Sequence, residues 1–194
     1  MEPLRQRLSE LIANAAGTWG VVVEDLDEGI CFAHQAQQPF IAESVIKVPI
    51  MAAVYAATDR GQFSMDDRLV LRREDLVGGS GLLFALSPGL KLTIRKWVTL
   101  MIIQSDNTAT NVLIDLTGKA LIDRTMRGLG MQQSCYSRKL MIYPADITEN
   151  NTVTASDVSR ILGRRASFFH RGIVPGCTVR GCPGRSRPNR SGRV

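Results

Sequence analysis

Between Glu43 and Asp59 the chain carries a single charge, Lys47, in a run otherwise dominated by Val, Ile, Met and Ala. So apolar a segment reads as a helix that must be buried. Desolvating an ammonium is costly unless it has a partner or a use. Helix positions three apart share a face, which brings the Lys47 amine within reach of the Ser44 hydroxyl. The partial positive charge of a helix N-terminus near Ser44 favours its alkoxide. A hydroxyl, an amine of lowered pKa and a positive backbone field together describe an activated nucleophile. A bare Ser-x-x-Lys also arises by chance, and a snorkelling lysine on a core helix is the plain alternative. The rest of the chain decides between them.

Before this segment, Leu4, Leu8, Leu11, Ile12 and Ala15 repeat at helical spacing up to Gly17. Val21-Val22-Val23 and Ile30 to His34, joined by Asp27-Glu28-Gly29, read as a β-hairpin. The Ser44 helix is expected to end near Gly61. Arg68 to Leu71 is a short extended piece, and Gly78-Gly79-Ser80-Gly81 a flexible turn. As a phosphate cradle that turn fails, because no strand closely precedes it and no Gly-Lys-Ser/Thr follows. Thr93 is a plausible N-cap for a helix with Ile94, Trp97, Val98 and Met101. That helix runs into Gln104-Ser105-Asp106-Asn107, and a second apolar helix follows, stopping at Gly118. Ser, Asp and Asn are also the ordinary residues of helix ends. Ala120 to Arg127 forms one more helix. Thr154 and Asp157 cap another, with barely two turns before Gly163.

At Gly163 the character changes. Eight of the 24 basic residues lie between there and Val194, with no acid among them; residues 1–162 hold the other 16 against all 18 acids. The net charge of +6 therefore belongs to the tail and not to the body. A stretch of Arg, Gly, Pro and Ser without periodicity cannot bury enough apolar surface to order itself. Two units are expected: residues 1–162 as the catalytic part, and 163–194 as a disordered or non-native tail, its abrupt onset suggesting a reading frame lost inside a helix. With only Phe168-Phe169 as aromatics, the tail is not read as a nucleic-acid arm. Cys31, Cys135, Cys177 and Cys182 are scattered and only two histidines are present, so neither a metal site, a disulfide framework nor a cofactor is expected. No apolar run approaches the roughly 18 residues of a membrane span. Met1 to Arg7 leads into charged residues, so no export signal is read there.

Ser44-Val45-Ile46-Lys47 and Ser105-Asp106-Asn107 resemble two of the three motifs of the active-site serine penicillin-recognising enzymes. Phe40-Ile41-Ala42-Glu43, Gly79-Ser80-Gly81-Leu82-Leu83 and the run from Leu100 to Asn111 extend the likeness over about residues 3–162. On these residues the chain is identified as a member of the class A β-lactamase-like serine hydrolases. The resemblance implies an α/β (α+β) fold of β-lactamase/transpeptidase type: a helical domain beside an antiparallel sheet, of which only the N-terminal hairpin is present. It implies catalytic roles for Ser44, Lys47 and Ser105, and substrate binding by Asn107. Ser44 would be the acylated nucleophile, Lys47 a base and Ser105 the proton donor to the leaving nitrogen, while Asp106 braces the loop. It further implies a monomer acting on a small β-lactam or peptidoglycan-like substrate, in a family that usually works outside the cytoplasm.

Three departures qualify that expectation. The third motif, Lys-Thr-Gly or Lys-Ser-Gly, is absent: the last lysine is Lys139. The family's deacylating glutamate follows an arginine by two residues; the corresponding residue after Arg138 is Leu140. Asp146 and Glu149 lie nearby without fitting the motif. The strands that complete the family's sheet have no counterpart, and a lone hairpin is marginal in water. A poorly stable, largely inactive chain is expected. Beside a truncated serine β-lactamase, two other readings stand: a penicillin-binding D-Ala-D-Ala peptidase or esterase that forms a long-lived acyl-enzyme, and a degenerate binder without turnover.

Overall fold

The computed structural model describes residues 2–25, 27–143 and 149–169. Among the described residues there are six α-helices: α1 (Glu2–Asn14), α2 (Lys47–Asp59), α3 (Ile94–Ile103), α4 (Asn107–Thr117), α5 (Lys119–Gly128) and α6 (Ala155–Phe169). Six short strands pair two by two, all antiparallel. β1 (Val21–Asp25) and β2 (Gly29–His34) form the expected hairpin. Its register slips between Val23 and Glu24, leaving Cys31 as the extra residue of β2, with its thiol donating to the Val23 carbonyl. Two further ladders lie outside it: β3 (Phe40–Ile41) with β6 (Thr152–Val153), and β4 (Arg68–Val70) with β5 (Lys91–Thr93). The sheet material is therefore not limited to the hairpin. Two-residue strands more than a hundred positions apart leave no periodicity to read.

The core is helical. α2 supplies Ile50, Ala53, Val54 and Ala57, and around them pack Trp97 and Met101 of α3, Leu113 of α4 and Ile122 of α5, all essentially without solvent exposure. This is why a segment with only one charge is tolerated: α2 is enclosed by neighbours. Its α-helical part begins at Lys47, three residues later than Ser44, and Glu43–Ile46 is a 3-10 turn. Lys47 N–H closes this turn on Ser44 O, and Pro49 in the first helical turn has no N–H to offer the Val45 carbonyl.

Caps match the expectations from sequence. Thr93 Oγ1 accepts from Lys96 N–H, Gly118 ends α4 with φ +75°, and Thr154 Oγ1 accepts from Asp157 N–H. The Asp157 carboxylate bonds in two directions, its Oδ1 accepting from Arg160 of its own helix at 3.2 Å and its Oδ2 facing the preceding segment. It accepts from Gln133 N, Ser134 N and Ser134 Oγ, tying α6 to the preceding segment. α6 itself does not stop at Gly163 but runs on to Phe169. Glycine in a helix costs only about 1 kcal/mol against alanine, too little to break a helix held at its start. The remainder of the basic tail, residues 170–194, lies outside the described residues.

Candidate active site

Ser44 and Lys47 stand one 3-10 turn apart, where side chains three residues apart eclipse. Lys47 is 2% exposed, while Ser44 faces solvent. The Lys47 amine lies 3.1 Å from Ser44 Oγ, 2.8 Å from Ser105 Oγ, 2.6 Å from the Ser105 carbonyl and 3.0 Å from Asn107 Oδ1. Ser105 Oγ donates to Ser44 Oγ at 2.7 Å. A buried amine is thus ringed by four oxygens, two of them hydroxyls already bonded to each other. Burial pulls the Lys47 pKa from 10.5 to about 8, and the nearby Asp106 carboxylate opposes that pull only in part. Near neutrality a usable share of the amine is free base, able to accept a proton from a hydroxyl.

Ser105 occupies the corner between α3 and α4 with φ +51°, a left-handed conformation that a serine adopts at a cost. The strain persists because both sides of the corner are fixed. On one side, Gln104 and Asp106 N–H groups both bond the Leu100 carbonyl. On the other, Asp106 caps α4: its Oδ1 accepts from Ala109 N at 2.9 Å, and its Oδ2 from Leu82 N at 2.7 Å and Leu83 N at 2.9 Å. Asp106 is 1% exposed and braces the corner away from the opening.

All four residues singled out from sequence therefore converge. Asn107 does so through both ends of its amide: Oδ1 receives the Lys47 amine, and Nδ2 donates to the Gly78 carbonyl at 3.1 Å. Two groups around it carried no role in the sequence. The Val77–Leu83 segment lies along residues 106–108 through backbone bonds, so the turn expected to be flexible is pinned. Asn111, one helical turn beyond Asn107, clasps the backbone of Leu140 on both sides: Leu140 N donates to Oδ1 and Nδ2 donates to Leu140 O, each at 2.9 Å. The Arg138 loop is gripped from below by Asn151, which accepts from Ser137 and Arg138 N–H groups. Asn111 had a signal, its position four residues after Asn107 on one helix face; the loop–loop packing had none.

Leu140, where a family glutamate was sought, is half-buried at the edge of the core. Asp146 lies outside the described residues, and Glu149 is exposed. Lys139, the last lysine, is spent on Asp115 at 2.6 Å and is not a displaced third motif. Among the described residues, no cluster of His, Cys, Asp and Glu could hold a metal ion, and no helix is long and apolar enough to cross a membrane.

Comparison with known proteins accords with this geometry. A family described as "Beta-lactamase enzyme family" matches residues 3–166. A β-lactamase of Rhodobacter capsulatus is 27% identical over 198 residues, covering 93% of this chain and 67% of its own. The crystal structure of a β-lactamase from Sphaerobacter thermophilus superposes with a TM-score of 0.76 at 37% identity, over 82% of this chain and 61% of that one. PBP-A gives a TM-score of 0.76 at 27% identity, over 91% of this chain and 64% of its own. A leucine-to-glutamate variant of PBP-A, similar to the same degree, is an acyl-enzyme complex with penicillin G. This chain thus spans less than two thirds of the length of these solved relatives.

Proposed function

Because the chain belongs to the β-lactamase enzyme family, we propose that Ser44 attacks a β-lactam carbonyl and becomes acylated. The reading rests on one observation: Lys47 Nζ is within hydrogen-bond reach of both Ser44 Oγ and Ser105 Oγ, which are 2.7 Å apart. As Ser44 Oγ bonds to the carbonyl carbon, its proton passes to neutral Lys47. The C–N bond then breaks, Ser105 Oγ–H protonates the departing nitrogen, and the Lys47 ammonium restores the Ser105 proton. No proton is gained or lost overall, and the enzyme is left as an ester of Ser44. The Ser44 N–H supplies one oxyanion donor. Asn107 holds Lys47 in place and presents its amide edge to the substrate's side chain.

Leu140 favours the long-lived variant of this reading. A leucine cannot activate the water that hydrolyses the ester, so the chain behaves as a penicillin-binding acceptor with slow release. Fluorescent penicillin followed by intact mass tests both halves. The expected result is one label per chain, lost from Ser44→Ala and persisting well beyond mixing. Rapid release would mark an efficient hydrolase. No label on a folded chain would leave the degenerate binder as the surviving reading.

A further inference from the structure

Gly78 to Gly81 sits directly against the catalytic corner, and two of its glycines have no room for a side chain. At Gly79, φ is +90° and a Cβ would fall 2.6 Å from Asn107 Nδ2. At Gly81, φ is +117° and a Cβ would fall 2.3 Å from Asp106 Oδ2. Neither partner can step aside cheaply. Asn107 is 7% exposed, and both ends of its amide are engaged, on Lys47 and on Gly78 O. The Asn107 backbone N–H is fixed as well, donating to the Ser80 carbonyl at 3.0 Å. We propose that the Val77–Leu83 segment is a template that positions the Lys47 site, with Gly79 the positioning residue that keeps the Asn107 carboxamide on the Lys47 amine. The loop touches no reacting atom; it acts through Asn107.

The proposal rests on the Ser44–Lys47–Ser105 reading for its kinetic consequence, but its geometric core can be tested without chemistry. An alanine at 79 must move Asn107 Nδ2 from 2.6 Å toward the ordinary contact distance near 3.4 Å. That withdraws Oδ1 from Lys47. Misplacement on this scale at a reacting centre costs up to about a hundredfold. Losing an acceptor that favours the charged amine also lowers the Lys47 pKa further. Gly79→Ala is therefore expected to slow penicillin labelling of Ser44 between about tenfold and a hundredfold, with the acid limb of the rate–pH profile moved to lower pH. Gly89→Ala is the control: its φ is +97°, with no atom within 4 Å of a Cβ. It carries the same backbone penalty and leaves the labelling rate and pH profile unchanged.

The decisive measurement is the coupling to Asn107→Ala, which removes the colliding amide. In that background Gly79→Ala adds less than about twofold to the loss of rate. It also melts no lower than Gly89→Ala does in the same background. If Gly79→Ala alone fails to fold, the double variant with Asn107→Ala recovers a cooperative melt. Additive losses of rate, an unmoved pH profile, or a double variant that stays unfolded each overturn the proposal. A wild-type chain that takes no label refutes the acyl-enzyme reading instead, and the melt coupling still decides the clamp.

Discussion

The helical region around Ser44 and the N-terminal region of residues 2–41 are built on different terms. In the first, each of α2 to α5 buries residues in one hydrophobic cluster, which runs from Ala42 to Ile161. The second contributes nothing to that cluster. α1 has no buried residue and in the hairpin only Cys31 is buried. What attaches it is peripheral. Ser159 Oγ donates to Glu24 Oε2 at 2.6 Å, Ser156 N bonds the Ala36 carbonyl, and Phe40 and Ile41 pair with Val153 and Thr152. Between β1 and α6 a groove of about 670 Å3 opens over Val21, Val22, Phe40, Val45, Val158 and Leu162. The contrast teaches that the site draws its rigidity from the helical cluster and the loops bonded to it, while the hairpin is held by a few contacts at its rim.

Breaking the site without breaking its scaffold is the sharpest use of that contrast. Lys47→Met removes the base, and Ser44 labelling should fall by about three orders of magnitude, read by stopped-time labelling. The melt should fall by the equivalent of about 1–3 kcal/mol without loss of cooperativity, since Asn107 Oδ1 and the Ser105 carbonyl lose their donor while the desolvated charge is removed. Leu140→Glu goes the other way. With a carboxylate available on the loop clasped by Asn111, the label should be released about a hundredfold faster. A release rate unchanged from wild type would show that residue 140 does not face the ester.

The energetic side of the contrast is tested by matched truncations. Ile46→Ala, fully buried in the helical cluster, should cost about 3 kcal/mol in urea melts. Val22→Ala, half-buried beside the groove, should cost less than about 1 kcal/mol. Equal costs would mean that the two regions share a core after all. The pH effect belongs beside the Ile46 truncation in size, each pKa unit being worth about 1.4 kcal/mol. With the Lys47 pKa lowered from 10.5 to about 8, the unfolded chain holds more protons than the folded one between those values. Stability should therefore rise as pH climbs through that window and level off above it. The Lys47→Met variant should lack this rise, which separates it from other titrations. Labelling should also accelerate as pH passes about 8, where the amine becomes free base.

The catalytic residues were legible because their signal is local. Ser44 and Lys47 are one turn apart, and Ser105 to Asn107 interrupt two apolar helices where a corner must fall. Thr93, Gly118 and Thr154 announced helix ends for the same reason. What could not be read depends on backbone meeting backbone from distant parts of the chain. The glycines of residues 78–81 advertise freedom in one dimension, yet at 79 and 81 they mark contact, because only the folded corner shows Asn107 and Asp106 pressed against them. Likewise the pairing of Phe40 with Val153 joins residues more than a hundred positions apart, which no local pattern announces. α6 outran its expected end because Gly163 lies within a helix already anchored through Asp157.

The separation of residues 2–41 from the central cluster has an evolutionary corollary. Substitutions in the hairpin and first helix are screened mainly by solubility, whereas those near the paired hydroxyls are screened by reactivity. Two neighbouring parts of one polypeptide can then drift at independent rates, and sequence divergence among relatives should concentrate in the N-terminal region without erasing the chemistry.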